Sequence, residues 1–186
     1  MNSRPVAILL SDQGQARDEL DYHQARVLIL ICTFAQTRGK RLVGLTKLAK
    51  LDFLLRYPKF LERLLLARNL IWADGSRPTR AEYDAVESRV IRYKYGPWDD
   101  RYYPILGALV GRGLLLLTRD ETSLVMEPTE LGRSMARALA EDVSWSLTAA
   151  RAELLASHFN LTGSRLKQLI YAELPDAIDR PIRTEI

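Results

Sequence analysis

The order of apolar and polar residues divides the chain into helical segments interrupted by two short β regions. From Tyr22 to Thr37, Val27, Leu28, Leu30, Ile31 and Phe34 recur at helical spacing, and Gly39 follows as a stop signal. A helix largely buried in a core is expected there. "GLTKLAKLDFLLRYP" repeats the period through Leu45, Leu48, Leu51 and Leu55 and ends at Pro58. A proline suits the first turn of a helix, so a further short helix is expected from Pro58 to near Arg68.

"ADGSRPTRAEYD" is rich in turn formers and reads as a linker. Ser88 to Tyr95 alternates and is partly β-branched or aromatic, which predicts a strand. Gly96-Pro97 reads as a corner. A short helix through Arg112 follows, with Ile105, Leu106, Leu109 and Val110 assigned to the core. Its Gly107 and Gly111 suit close packing of backbone against another helix. "LLLLT", the polar tip "RDETS" and "LVMEP" predict a hairpin, after which Thr129 is placed to cap "ELGRSMARALAED". Trp145 to Phe159 and Arg165 to Leu174 read as two more amphipathic helices, and a polar tail begins at Pro175.

Helix, helix, strand-turn-helix, hairpin, helix is the order of a winged-helix domain. The expected fold is therefore mainly α with a small β-hairpin or sheet, a winged helix with extra N- and C-terminal helices. The boundaries are an N-terminal arm at 1–20, the winged-helix domain at 21–142, a C-terminal helical extension at 143–175 and a tail at 176–186.

Composition narrows the chemistry. An apolar fraction of 47% in 186 residues is enough for a real core. Cys32 is the only cysteine, which excludes an intramolecular disulfide and a Cys-rich zinc site. Within "VLILICTF" it reads as a small buried hydrophobe. No apolar run reaches the length of a membrane span, and "VAILL" near the N-terminus is too short for a signal-peptide core. A cytoplasmic protein without a membrane partner is expected.

The net charge of +4 hides an asymmetry. Arg38 to Arg68 carries nine cations against Asp52 and Glu62, whereas Arg119 to Asp142 carries three cations against six acids. A basic segment beside acidic ones is the footprint of an anionic partner, although solvated helix faces produce it too. The candidate phosphate contacts are Lys40, Arg41, Lys47, Lys50, Arg56, Lys59 and Arg63. Arg92, Lys94 and Arg101 of "RYKYGPWDDRYY" join them.

The second helix of a helix-turn-helix pair must present side chains that hydrogen-bond base edges. "PILGALVGRG" offers only Arg112, at its far end, so it is a poor sequence reader. The wing tip Arg119-Asp120-Glu121 is net acidic, where a DNA-gripping wing is usually basic. Asp99 and Asp100 stand where helix caps belong, and Trp98 is placed to pin that corner to the core or to a partner. Trp98, Tyr102, Trp145 and Phe159 are the candidate partner-binding aromatics.

Catalysis finds little support. His23, at a helix start, reads as a surface or capping residue, and His158 sits near a helix end; neither belongs to a ligand-spaced motif. Asp99-Asp100 with Lys94 is a weak match to a nuclease carboxylate cluster, and adjacent acids at a helix start serve capping far more often. No phosphate-cradling glycine loop, G-x-S-x-G or H-E-x-x-H is present. A non-enzymatic protein without a cofactor or metal is expected.

Four stretches carry a family resemblance: "GLTKLAKLDFLLRYPKFLERLL", "ESRVIRYKYGPWDDRYYPILGALVGRGLL", "EPTELGRSMARALAE" and "ASHFNLTGSRLKQLIYAELP". Together, over residues 23–175, the chain resembles the small middle component of three-component ABC-ATPase defence systems, the Lamassu-like anti-phage operons. The resemblance implies a winged-helix accessory subunit that assembles with an SMC- or Rad50-like ATPase and an effector, often a nuclease. Backbone contact with double-stranded DNA, without sequence reading, is the further expectation. The shorter pattern "TKLAKL…YGP…GLL" is also similar to the winged-helix core of bacterial regulators, which leaves a dimeric transcriptional regulator as the alternative.

Overall fold

The computed structural model describes residues 20–37, 41–84, 91–93 and 96–174. Helix α1 (Leu20–Thr37) is the central element. Val27, Leu28, Leu30, Ile31 and Phe34 are buried as expected, and Ala25, Ile29 and Cys32 are buried with them, so the helix is enclosed on nearly all sides. The two-residue strand β1 (Leu42–Val43) leads into α2 (Leu45–Arg56), and Pro58 opens α3 (Pro58–Ala67) at its first turn. A turn at 74–76 and the short helix α4 (Arg80–Asp84) follow.

Strands β2 (Ile91–Tyr93) and β3 (Gly96–Trp98) pair antiparallel, with Arg92 opposite Pro97 and Tyr93 opposite Gly96. This corrects the reading of Gly96-Pro97 as a corner: the pair lies within a strand. Lys94 and Tyr95 lie outside the described residues, as does the start of the expected Ser88–Tyr95 strand.

Helix α5 (Tyr102–Gly111) begins two residues before Pro104, whose missing N–H falls in the first turn where no intrahelical partner exists anyway. Gly113, at φ 69°, ends it. Its N–H donates to Val110 O at 2.8 Å and the Leu114 N–H to Leu109 O at 2.9 Å, the paired bonds of a Schellman terminus. The hairpin β4 (Leu115–Asp120) and β5 (Ser123–Pro128) then forms as expected, with Asp120 opposite Ser123. β1 adds to β5, pairing Leu42 with Met126, so the sheet order is β1-β5-β4. Helix, short strand, helix, helix and a two-stranded wing joined to that strand is the winged-helix arrangement, with α3, α4 and β2–β3 inserted between α2 and α5.

Thr129 caps α6 (Glu130–Glu141) by accepting from the Gly132 N–H at 3.0 Å. Gly132 is fixed by close approach: a Cβ there would stand 2.0 Å from Leu114 O. α7 (Val143–His158) packs on α1, α2 and α6, and α8 (Gly163–Glu173) on α2 and α3. Trp145, Phe159, Leu166 and Ile170 thereby enter the same hydrophobic cluster as α1. Among the described residues no helix is long and apolar enough to cross a membrane.

Candidate interaction surfaces

The N-terminal ends of α1 and α5 meet α2 at a buried ionic joint. Asp52, fully enclosed, accepts from Arg26 Nε at 2.7 Å, Arg26 Nη2 at 3.1 Å and the Tyr102 hydroxyl at 2.8 Å. Burial alone would raise its carboxyl, but the charge and hydrogen bonds of Arg26 outweigh that and hold it below the usual carboxylate range. Burial, reinforced by the charge of Asp52, pushes the Tyr102 phenol well above its ordinary value. The hydroxyl therefore stays a donor.

Asp99 sits at the second corner of this joint. Its carboxylate accepts from Arg56 Nη1 at 3.2 Å, from Arg101 Nε and Nη2 at 2.9 Å each and from the Arg101 backbone N–H at 3.0 Å. Burial opposes ionisation here too, and the Arg101 bonds overcome it, so the carboxyl lies below its ordinary value. Asp99 does steady the start of α5, because the Tyr102 N–H also donates to its carbonyl at 3.2 Å. Its main partners, however, are two guanidinium groups. Asp100 is exposed.

His23 corrects an expectation. Read as a surface or capping residue, it is 2% exposed, with Arg26 Nη1 2.7 Å from Nδ1 and Arg101 Nη1 2.6 Å from Nε2. Burial first, and then Arg26, Arg101 and Arg56, pull its pKa down to about 3. A proton added there would place a third positive charge between two arginines, so the ring is neutral at physiological pH.

Above this joint α5 turns a smooth face outward. Ile105, Leu106 and Leu109 are buried, while Tyr103 is 65% and Val110 38% exposed, with Pro104, Gly107 and Gly111 exposed on the same helix. Two expectations change here. Val110 lies at the surface rather than in the core. Gly107 and Gly111 pack against nothing, since a Cβ at either would meet no atom within 4 Å. Arg112, the single base-reading candidate, donates to Asp21 of α1 at 2.8 Å.

The candidate phosphate contacts separate into distinct groups. Lys59 and Arg41 are exposed, with Arg41 Nη2 3.7 Å from Asp120 on the wing. Arg56 is 1% exposed at its side chain and belongs to the joint, as does the half-buried Arg101; their charges are spent inside the molecule. Arg63 donates to Glu173 O at 2.8 Å, and Arg68, which was not among the candidates, to His158 O at 2.9 Å. Both thus satisfy carbonyls at helix C-termini, where the dipole favours a cation. Lys47 and Lys50 turn toward the start of α8. Lys40 and Lys94 lie outside the described residues, and so do the side chains of Arg92 and Trp98.

The remaining partner-binding aromatics correct in one direction. Tyr102, Trp145 and Phe159 are 1%, 2% and 0% exposed. Each fills the chain's own core: Tyr102 bonds to Asp52 of α2, and Trp145 and Phe159 are covered because the C-terminal helices close over α1 and α2 instead of standing apart. The exposed aromatic on this surface is Tyr103, a neighbour of the expected Tyr102. The joint had one legible signal: Asp52 is the one acid in the otherwise basic α2, and Arg26 stands at the head of the apolar run of α1. Among the described residues no group of three His, Cys, Asp or Glu side chains is placed to hold a metal ion. Comparisons with family models, curated proteins and solved structures find no match.

Proposed function

We propose that this chain is a non-enzymatic assembly subunit of a Lamassu-like defence complex, acting in the cytoplasm. It binds an SMC- or Rad50-like ABC ATPase, alongside an effector subunit, through protein contacts. The observation that carries this reading is the outward face of α5. The helix in the position of a DNA reader presents Tyr103, Pro104, Gly107 and Val110, surface that buries well against protein and whose one side-chain hydrogen-bonding group is the Tyr103 hydroxyl, too little to read base edges. The buried joint beneath fixes that helix in place, which lowers the ordering cost of docking. The stretches resembling the middle component of these systems include α2 and α5. Any contact with double-stranded DNA is to its backbone and carries no sequence selectivity.

Co-expression with the ATPase encoded beside this chain tests the reading. The two proteins are expected to co-purify, and Gly107→Arg, which puts a long cation on the α5 face without disturbing the core, to abolish the association. A folded, monodisperse chain that never associates with that ATPase would overturn the assignment. Tight binding to its own promoter, with scrambled DNA bound far more weakly, would instead make it a dimeric winged-helix regulator.

A further inference from the structure

Where α3 ends, the chain turns back and brings residues 70–73 beside the helix. Asn69, at φ 54°, makes the turn, and the Leu70 N–H donates to Leu65 O at 2.8 Å. At the far end of the stretch the Ala73 carbonyl accepts from the Ser76 N–H at 3.0 Å and from the Ser76 hydroxyl at 2.7 Å. Between these anchors, the N–H groups of Ile71, Trp72 and Ala73 and the C=O groups of Leu70, Ile71 and Trp72 bond to no other described residue. Exposure alternates along the same stretch: Leu70 and Trp72 are half-buried, Ile71 and Ala73 exposed. A period of two with unpaired backbone groups is the pattern of a strand edge that lacks a neighbour.

A cavity of about 440 Å³ opens beside this edge, walled by Leu65, Leu66, Leu70, Ile71 and Trp72, with Glu62 also in its lining. The wall is fixed from behind. Trp72 Nε1 donates to Glu62 Oε1 at 3.2 Å, and the Tyr83 hydroxyl of α4 donates to the other oxygen of that carboxylate. The guanidinium of the buried Arg151 lies 6.0 Å from the centroid of the Trp72 ring. At this cavity Ile71 is 86% and Leu66 68% exposed; among the described large hydrophobic residues only Val143 is more exposed than Ile71. A single apolar side chain on a surface needs no explanation, but two at an apolar pocket mark an interaction site. Asp74 and Arg77 add charges of opposite sign to the lining. Both are exposed, and neither forms an ion pair among the described residues.

We infer that this groove receives an extended segment of a protein partner, which pairs its backbone with residues 71–73 and seats an apolar side chain among Leu65, Leu66 and Trp72. In strand addition of this kind the main-chain bonds supply affinity, and the pocket that takes alternate side chains supplies specificity. The lining charges define the rest of the segment: beyond its apolar anchor it carries a base to meet Asp74 and an acid to meet Arg77. The fixed wall keeps the ordering cost of docking low. This surface does not rest on the assembly reading, because α5 packs on α1 and β4 whereas α3 packs on α2, α4 and α8.

A phage-displayed library of random peptides would be selected on the full chain, and the enriched peptide synthesised and titrated by calorimetry and amide NMR. An apolar anchor flanked by residues of both charges is expected, with the Ile71, Trp72 and Ala73 amides shifted and slowed in hydrogen exchange on binding. Ile71→Lys and Leu66→Lys, both at exposed positions and so compatible with folding, are each expected to weaken binding by about tenfold or more. N-methylation of the peptide backbone on either side of its anchor should weaken it similarly, because it removes the donors that strand addition uses. Gly107→Arg on α5 is expected to leave peptide binding unchanged, so failure of one surface does not report on the other. No enriched peptide, binding indifferent to Ile71→Lys and Leu66→Lys, or full binding by the N-methylated peptide overturns the inference. A dimer of this chain that Ile71→Lys dissolves in sedimentation would give the groove to a second copy and overturn it too.

Discussion

Arg56 and Asp99 stand 43 residues apart in the chain and meet at 3.2 Å, their side chains 1% and 5% exposed. The contact ties α2 to the segment entering α5, and Arg101 closes on the same carboxylate from the other side. Breaking a buried ion pair by removing one partner costs about 3–5 kcal/mol, because the remaining charge stays desolvated. Asp99→Ala is therefore expected to destabilise the chain by about that amount in urea unfolding. Asp100→Ala, at an exposed position, should shift stability by about 0.5 kcal/mol or less. Equal losses from the two variants would mean that both aspartates act as simple caps.

His23 gives the fold an acid limit. Its pKa is about 3 in the folded chain against 6.5 when unperturbed, so between those values the unfolded state holds the extra proton. The stability it contributes is complete above pH 6.5 and is lost as pH falls toward 3. One proton taken up on unfolding corresponds to a slope of about 1.4 kcal/mol per pH unit. Asp52 and Asp99 act in the same direction only lower down, since their carboxyls lie below the ordinary range. Urea midpoints measured from about pH 6 to about pH 4.5 should therefore fall with acid, and His23→Gln should flatten that dependence.

Two glycines that look alike in the sequence should respond oppositely to alanine. At Gly107 the added methyl meets open space on a helix surface, and alanine is expected to stabilise by about 0.5–1 kcal/mol. At Gly132 it would stand 2.0 Å from the carbonyl oxygen of Leu114, which is backbone and part of the β4–α6 junction. Gly132→Ala is expected to cost more than about 2 kcal/mol or to prevent folding. Thermal unfolding of the pair decides it, and a tolerated Gly132→Ala would show that α6 can shift away from Leu114.

Local chemistry explains which parts of this molecule were legible in its sequence. Pro58 at the head of α3, Gly113 after α5 and Thr129 before α6 act through bonds within a few residues, and each stands where the pattern placed it. The wing was equally readable, since both strands and their tip are contiguous. β1 was not, because two residues are too few to show alternation and its partner is Met126, far along the chain. The same distance hid the fates of the charges. Arg63 and Arg68 count as surface cations in any local reading, yet their partners are carbonyls 110 and 90 residues away. The aromatic candidates fell to tertiary packing: Trp145 and Phe159 have the period of an interface stripe, and α1 and α2 supply the surface that covers them.

Lys50 carries a buried charge at a cost to the fold. Its ammonium is enclosed without a carboxylate, and its pKa is about 8 in the folded chain against 10.5 when unperturbed. The folded state therefore binds fewer protons than the unfolded state between those values, and stability rises with pH across that window. Below pH 8 the full penalty of the buried charge is present. Lys50→Met removes the charge and keeps the volume, so at pH 7 it is expected to raise stability by on the order of 1 kcal/mol. The gain should shrink as the pH rises from 8 and vanish only above 10.5, where lysine loses its proton in both states. Urea unfolding of the two chains at pH 7 and about pH 10 measures both effects. A Lys50→Met chain less stable than wild type at pH 7 would show that the ammonium is already compensated within the fold.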